Sequence, residues 1–423
     1  MSGNDANAIA AQSIMGRVRA QYERFPYPQT VERIPDKVLD GGEFLRGCPK
    51  REFTLYWPTL PEREDIDILV AGCGSSQAAM MGATLPRARI VALDISGASI
   101  ERSEALARAH GVSNVTHFRK SLLDVGELGR DFDYIVSSGV LHHLPDPAAG
   151  FRALRRVLRP MGSMLIMLYG RYGRDGVYLF QDMFRRLGIT PETATVEDLR
   201  RIAELVKSAP PTHPITLRRA YFGDQSETET VDLFLHPRDV SFTVPEIYDV
   251  LERTGLALQS WYYRAHYSPR CTALANHPFY ERIERLPERE RFAIGELYRA
   301  AVHQHYFVAC RDDRPRASYV PDFAGDKLLA LVPQVRPSFV AGPRADGQPG
   351  LRCRLDGHLF KILQIDFDPV QSRVVSLIDG RRSVGAIADR LRDVGDAATV
   401  RAYLRGLIED LWEFDFVFLR FPG

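Results

Sequence analysis

The fold is decided by the stretch Ile66-Asp-Ile-Leu-Val-Ala-Gly-Cys-Gly-Ser-Ser-Gln77. Its first six residues form an apolar run with the length of a buried strand, and the glycines that follow let the backbone turn tightly before a helix begins. Such a turn lets a ligand approach main-chain N–H groups at the helix N-terminus. The stretch therefore predicts a ligand-binding loop at the edge of an α/β sheet.

Short apolar runs alternate with helical stretches after this loop, which predicts a parallel sheet with right-handed crossovers. This alternation of strands and helices stops between Tyr169 and Thr243, which predicts a helical insertion, and it resumes after Thr243. We expect strands at Ile66–Ala71, Arg89–Leu93, Val115–Arg119, Phe132–Val136, Ser163–Leu168, Leu256–Tyr263 and Gln304–Ala309.

The rest of the 423-residue chain divides by composition. Residues 1–60 are expected to form an N-terminal helical cap that contributes to the substrate site, residues 61–311 the α/β domain with its insertion at 169–243, and residues 312–350 a Pro/Asp/Gly-rich linker. Residues 351–423 combine short helices with a final apolar strand. This pattern is similar to the small winged-helix modules that bind leader peptides, and a dimerisation module is the alternative.

Charge and cysteine content exclude several classes of protein. The 55 Lys and Arg residues nearly balance the 54 Asp and Glu residues, for a net charge of +1, so charge alone supports neither nucleic-acid nor membrane binding. No apolar run approaches the roughly 18 residues of a membrane helix, and the first residues do not read as a secretion signal. Five scattered cysteines without a CxxC pair argue against disulfides and a thiolate zinc site. We expect a cytoplasmic protein.

A carboxylate follows the second predicted strand. Asp94 lies 22 residues after Gly72, near the spacing at which nucleotide-binding α/β units place an acid that accepts hydrogen bonds from ribose hydroxyls. A helix N-cap is the plain alternative. Both features also fit a dinucleotide-binding fold, but Gln77 occupies the sixth position of G-x-G-x-x-G, which weakens an NAD(P)-dependent oxidoreductase.

Read together, residues 65–168 resemble the class I S-adenosylmethionine-dependent methyltransferases. The resemblance rests on Ile68-Leu-Val-Ala-Gly-Cys-Gly74, Ala92-Leu-Asp-Ile-Ser96, Phe132-Asp-Tyr-Ile-Val-Ser-Ser-Gly-Val-Leu-His-His-Leu144 and Leu158-Arg-Pro-Met-Gly162. It implies a Rossmann-like, seven-stranded, mostly parallel sheet with a helical insertion, a small α+β C-terminal domain, and S-adenosylmethionine as cofactor. The cofactor-binding residues that it implies are Gly72, Gly74, Asp94, Ile95, Ser121, Leu122 and Ser138.

The chain departs from the family pattern at three positions. Val70 replaces an acid in the first strand, Ser76 replaces the third glycine of the loop, and Ser121 replaces an acid that contacts adenine, with Asp124 as its substitute. A non-catalytic protein that binds the cofactor therefore remains an alternative to an enzyme.

Methyl transfer from a sulfonium mainly needs donor and acceptor held in line and water excluded, and it needs a general base only for a protonated acceptor. His142 and His143 follow the fourth strand and are the catalytic candidates, with a packing role as the alternative. The glycine- and tyrosine-rich loop at 169–178 is expected to be a mobile lid or a static loop. Substrate-binding candidates are Tyr22, Tyr27, Tyr169, Tyr172 and His236.

A polar group before Thr243, made by Asp232, His236 and Asp239, resembles a metal site only loosely, so we expect a hydrogen-bond network and no metal. The acceptor is expected to be a small molecule or a peptide. A homodimer is an open alternative.

Overall fold

The computed structural model describes residues 3–28, 31–39, 46–218, 225–355 and 364–422, with side chains from residue 12 onward. The chain forms two compact units. The first contains Met1–Gly47, Glu64–Leu258 and Glu296–Asp312, and the second contains Cys48–Arg63, Gln259–Gly295 and Asp313–Gly423.

The first unit is built on an eight-stranded sheet in the order β3-β2-β1-β4-β5-β8-β7, with the short β6 paired to β5. The pairs from β3 to β5 are parallel, as is β5 with β6, whereas β8 runs antiparallel to β5. The strands are β1 Asp67–Ala71, β2 Arg89–Asp94, β3 Val115–Arg119, β4 Phe132–Ser138, β5 Leu158–Gly170, β6 Ser241–Phe242, β7 Leu256–Trp261 and β8 Gln304–Arg311.

Helices flank this sheet, and the first ones have clear local causes. Ser96 caps α5 by accepting a hydrogen bond from the N–H of Ser99, and Asp146 caps α6 with Pro147 in the first turn. The helices of the first unit up to the insertion are α1 Gly3–Arg24, α2 Asp36–Leu39, α4 Gln77–Thr84, α5 Gly97–Ala109 and α6 Pro147–Arg156, and α3 Phe53–Tyr56 belongs to the second unit.

The predicted α/β fold class is confirmed, and all seven expected strands are present. The sheet has one strand more than expected, because Ser241 and Phe242 pair with the end of β5. Strand β5 is much longer than the predicted Ser163–Leu168, since it starts at Leu158. The central strand β1 is buried on both faces, with Ile68, Leu69 and Val70 fully covered, which accounts for its unbroken apolar run.

The region 169–243 is mainly helical, as expected. It holds α7 Asp175–Arg186, α8 Val196–Lys207, α9 Pro214–Leu217, α10 Glu227–Thr230 and a single π-helical turn at Val231–Leu235. A capping box between Thr195 and Asp198 starts α8. Helix α11 Val244–Arg253 follows and leads into β7.

The second unit departs from the expected linker at 312–350, because that region contains a helix and two strands. Strand β9 Val332–Val335 pairs with β13 Val417–Arg420, while β10 Phe339–Pro343 pairs with β11 Leu351–Leu355 and β11 with β12 Gln364–Phe367, all antiparallel. Strands β9 and β13 lie far apart along the chain, so no local pattern reveals their pairing, whereas β10, β11 and β12 pair with their neighbours in sequence. The helices from residue 280 on are α12 Tyr280–Glu284, α13 Glu288–Arg299, α14 Gly325–Ala330, α15 Pro369–Leu377, α16 Val384–Ala388 and α17 Ala397–Glu413.

The winged-helix resemblance of residues 351–423 stays a prediction. In the described part of the chain, no helix combines the length and apolar character needed to cross a membrane.

Arg336 organises the interior of the second unit and provides a test of it. Its guanidinium is 3% exposed, lies 3.4 Å from carboxylates of both Glu52 and Asp415, and donates to the carbonyl of Tyr262. We expect Arg336→Ala to lower the free energy of unfolding by about 3–5 kcal/mol, because both carboxylates then lose their counterion while buried.

Urea unfolding of this variant and of Arg344→Ala measures the effect. Arg344 pairs with Asp346 at the surface, so its removal should change the midpoint little. Equal midpoints for the two variants would contradict the assigned role of Arg336.

Candidate active site

Two glycines shape the loop between β1 and α4. Gly72 and Gly74 adopt left-handed conformations, with φ of 81° and 55°. A Cβ atom on Gly72 would lie 2.2 Å from a methyl group of Val140, and one on Gly74 would lie 2.8 Å from the carbonyl oxygen of Tyr27. Both positions therefore need glycine for conformation and for space.

The N–H groups of this loop are used within the protein. Those of Gly72 and Cys73 donate to the carbonyl of Leu93, and that of Gly74 donates to Asp94. The expectation that the loop's N–H groups are open to a ligand is therefore wrong for these three residues. These residues contribute by bringing main-chain atoms to the wall of the cavity, where a ligand can approach them closely.

Asp94 ends β2 beside the loop. One carboxylate oxygen accepts from the N–H of Gly74 at 3.0 Å and the other from the N–H of Ser96 at 2.9 Å. Burial raises the pKa of the Asp94 carboxyl, and the backbone hydrogen bonds oppose this rise because they favour the ionised form. Asp94 thus links the glycine loop to the start of α5.

A cavity of about 330 Å³ opens where β1, β2 and β4 end. The structure brings all seven residues of the predicted cofactor set into its wall, together with Tyr22, Tyr27 and His143. These lining groups fit a nucleoside joined to a polar chain. Asp94 provides a carboxylate, Ile95 and Leu122 provide apolar side chains, and the glycines leave the backbone uncovered. Sequence reasoning missed further lining residues, namely Met15, Val18, Pro28, Cys73, Ser76, Gln77, Met80, Leu93, Ser99, Lys120, Gly139, Val140 and Leu144.

Helix α1 covers part of the cavity. Met15, Val18 and Tyr22 line it at intervals of three and four residues, which place them on one helix face. The end of α1 is anchored by Glu23, whose carboxylate accepts from the N–H groups of Gly97 and Ala98 at 2.8 and 3.1 Å. The periodicity of α1 was visible in the sequence, but nothing local showed what its face covers.

Tyr22 enters a buried hydrogen-bond network. Its hydroxyl donates to Asp232 at 3.0 Å and lies 3.2 Å from Nε2 of His236, and the hydroxyl of Tyr169 donates to the other oxygen of Asp232 at 3.3 Å. Burial raises the pKa of both Asp232 and Tyr22. The predicted substrate residues Tyr22, Tyr169 and His236 therefore meet at one carboxylate.

The backbone of Arg238 sets the protonation of two histidines. Nδ1 of His143 lies 2.7 Å from the Arg238 carbonyl, which only accepts, so Nδ1 carries a proton and donates; in the neutral form of the ring, the lone pair is then on Nε2. Nδ1 of His236 accepts from the Arg238 N–H at 3.1 Å, so the neutral ring carries its proton on Nε2 and donates to Tyr22. The two rings stack at 3.7 Å, and His143 lines the cavity.

The spacing of these groups also meets a geometric criterion for metal binding. One potential ligand atom from each of His143, Asp232 and His236 lies within 4.8 Å of the others. The hydrogen bonds favour a proton network instead, because a metal on Nε2 of His236 would require the proton to sit on Nδ1, against the N–H of Arg238.

His142, the other catalytic candidate, does not line the cavity. Its ring is fully buried, and the centres of the His142 and Tyr169 rings are 3.9 Å apart. Within the described part of the chain, neither nitrogen of the His142 ring has a hydrogen-bond partner. Burial lowers its pKa well below the usual value. The ring is therefore neutral and acts in packing, which was the alternative interpretation.

The loop at 169–178 is packed and does not have the construction of a lid. A Cβ atom on Gly170, Gly173 or Gly176 would come within 2.2–2.3 Å of the backbone of Val302, of His303 or of Ile215. Arg174 is 2% exposed, lies 3.5 Å from the centre of the Tyr169 ring and pairs with Asp239 at 2.5 Å. The glycines serve close backbone contacts, so the static alternative fits.

Two further candidates lie elsewhere. Tyr172 is half-buried and does not line the cavity. Asp239, grouped by sequence with Asp232 and His236, binds Arg174 and Gln181 instead.

Comparison with known proteins gives a family match, two relatives and a solved structure of the same fold. Residues 69–164 match a family described as a methyltransferase domain. An uncharacterized protein of Synechococcus is 25% identical over 347 residues, 80% of this chain and 81% of its own length. Trans-aconitate 2-methyltransferase of Deinococcus radiodurans is 27% identical over 124 residues, 29% of this chain and 44% of its own length.

The solved structure of PKMT2 from Rickettsia typhi in complex with AdoHcy shares the fold, with a TM-score of 0.63 and 12% identity over 94% of this chain and 78% of that one. The match of residues 69–164 to a methyltransferase-domain family indicates S-adenosylmethionine as the cofactor.

The anchoring of α1 provides a test of the site. We expect Glu23→Gln to loosen the C-terminal turns of α1 by about 1 kcal/mol, because a charge-assisted bond to the start of α5 is lost. Hydrogen exchange of α1 amides should then quicken severalfold.

The matched control is Glu104→Gln, which breaks only the exposed pair of Glu104 with Arg108. Unchanged exchange of α1 in Glu23→Gln would show that Glu23 does not hold this helix.

Proposed function

We propose that this chain is an S-adenosylmethionine-dependent methyltransferase that binds its cofactor in the cavity beneath α1. The observation that carries the proposal is the convergence on one cavity of the glycine loop, Asp94 and the ends of β3 and β4. The family match to residues 69–164 supports the same chemistry and favours it over a nicotinamide-dependent oxidoreductase.

Different residues of the cavity would contact different parts of the cofactor. Asp94 would accept hydrogen bonds from ribose hydroxyls, Ile95 and Leu122 would pack on the adenine, and Ser138 would line the methionine side. When bound, S-adenosylmethionine supplies a methyl group on a sulfonium, which is a good leaving group. Tyr22 and the face of α1 exclude water from the reacting atoms.

His143 is the residue that we propose as general base. It lines the cavity with Nδ1 anchored on a backbone carbonyl, so Nε2 is free to take a proton from an acceptor. His142 has no such role, because it is buried away from the cavity.

The acceptor belongs to the part of the proposal that the family match leaves open. A small molecule or a peptide fits the chain equally, and the peptide idea depends on the winged-helix resemblance of residues 351–423. We propose no nucleic-acid acceptor, since the net charge is +1. A cytoplasmic location and a homodimer remain expectations.

A cofactor-sensing protein without turnover is the second candidate function. Asp124, the expected substitute for the missing adenine-contacting acid, does not line the cavity, and the Ser121 side chain there accepts from the N–H of Leu123. This weakens the adenine contacts and leaves cofactor binding and catalysis to be tested separately.

Cofactor binding is tested by Asp94→Asn. We expect its affinity for S-adenosylmethionine and for S-adenosylhomocysteine to fall about 10- to 100-fold in calorimetric titration, because hydrogen bonds to a charged carboxylate are lost. The exposed Asp182→Asn serves as control and should bind normally. Failure of the unchanged protein to bind either ligand would refute the proposed function.

Catalysis is tested by His143→Gln. Release of S-adenosylhomocysteine in the presence of an acceptor fraction from cell extract should fall by about 10²-fold or more, with cofactor affinity nearly unchanged. The exposed His277→Gln is the matched control. Full turnover in His143→Gln would remove the general-base role, and binding without turnover in the unchanged protein would favour the sensor.

A further inference from the structure

The cavity runs along the carboxyl edge of the central sheet. Residues 120–122 line it after β3, Asp94 and Ile95 line it at the end of β2, and the glycine loop lines it after β1. Neighbouring strands lie about 4.8 Å apart, so β1 is roughly 10 Å from β3. With the adenine packed on Ile95 and Leu122 and the ribose bound at Asp94, the rest of the cofactor would extend over β1 towards β4.

That part of S-adenosylmethionine ends in an amino acid, whose carboxylate is costly to bury without a partner. Among the described lining residues, Lys120 is the one with an ammonium or guanidinium group, and it pairs with Glu127. Lys120 follows β3, which is two strands away from β1 in the sheet. The cationic side chain of the cavity therefore lies at the adenine end, away from the carboxylate.

Helix α4 supplies positive potential next to β1. The N–H groups in the first turn of a helix have no intrahelical acceptor, and they form the positive end of the helix dipole. In α4 the N–H of Met80 donates to the carbonyl of Ser76 at 3.0 Å, and Ser76, Gln77 and Met80 all line the cavity. The start of α5, by contrast, is occupied by the carboxylate of Glu23. Of these two helix starts, that of α4 is the one left for a ligand anion.

The hydroxyl of Ser76 is a second, independent observation. Ser76 precedes the first residue of α4, is 6% exposed and lines the cavity. Its side chain does not cap α4, and it has no other hydrogen-bond partner among the described residues. The corresponding residue of α5, Ser96, accepts from the N–H of Ser99. A buried hydroxyl without a partner costs free energy, and a ligand that accepts from Ser76 would remove this cost.

We propose that the carboxylate of the cofactor binds at the N-terminus of α4 and accepts a hydrogen bond from the hydroxyl of Ser76. The inference rests on the proposed function, because it assigns a partner to one group of S-adenosylmethionine. Ser76 has a φ of −147°, so this position does not require glycine. The departure from the family pattern at Ser76 then adds a donor for the carboxylate and does not weaken the site.

The test compares S-adenosylhomocysteine with its decarboxylated analogue, in which a hydrogen atom replaces the carboxylate. Both ligands keep the adenosine, the sulfur and the amine, so they differ only in the group that Ser76 would bind. In calorimetric titration of the full-length protein, we expect the analogue to bind roughly tenfold or more weakly, because charge-assisted hydrogen bonds are lost.

The role of the hydroxyl is tested by Ser76→Ala. We expect its affinity for S-adenosylhomocysteine to fall roughly tenfold and its affinity for the analogue to change less than about twofold. Ser76→Gly should behave in the same way, because it also lacks the hydroxyl. The control is Ser208→Ala at the exposed end of α8, which should bind both ligands as the unchanged protein does.

Equal affinity of the unchanged protein for the two ligands, or an equal loss for both in Ser76→Ala, would overturn the assignment of the carboxylate and leave the proposed function intact. If Ser76→Ala does not fold, Ser76→Gly and the comparison of the two ligands on the unchanged protein decide the question. Failure of the unchanged protein to bind S-adenosylmethionine or S-adenosylhomocysteine would instead refute the proposed function.

Discussion

The geometry of the cavity depends on the carboxylate of Asp94. Its two oxygens hold the N–H groups of Gly74 and Ser96, and the Ser96 hydroxyl in turn donates to the carbonyl of Tyr22. Three walls of the cavity, the glycine loop, the start of α5 and the end of α1, are thus joined through consecutive hydrogen bonds. Each bond contributes modestly to the free energy of folding, but together they determine where the walls stand.

The network around Asp232 is explained by positioning of side chains and not by stability. Burying a carboxylate whose donors are uncharged costs several kcal/mol, and apolar side chains of similar volume would often be as stable. Stability alone therefore does not account for Asp232 between Tyr22 and Tyr169. Positioning does, because the carboxylate orients Tyr22, which lines the cavity, and lies close to His143, which lines it too.

Sequence could predict which residues line the cavity beside the central strands, and it named Tyr22, Tyr169 and His236 as candidates, but it could not show their contacts with Asp232. Strand, loop and helix around Gly72 follow one another along the chain, so local pattern identifies them. The contact between Tyr22 and Asp232 spans 210 residues, and only the folded chain brings them together. Likewise, Gly170 and Gly173 give the same sequence signal whether they serve as hinges or allow close backbone contact, so sequence left a mobile lid and a packed loop equally open.

This division has a structural consequence. The glycine loop, Asp94 and the end of β4 come from the part of the chain that forms the central sheet, whereas Asp232 and His236 come from the insertion after β5 and Tyr22 from α1. The strands that carry the glycine loop and Asp94 are buried and tightly packed, so substitutions there disturb the sheet. The insertion joins the first unit through the two-residue strand β6 and through Arg238, which donates to the carbonyls of Leu144 and Pro145. Asp232 and His236 lie outside the strands of the central sheet, so substitutions at these two positions leave the packing of those strands unchanged and act on the cavity through Tyr22.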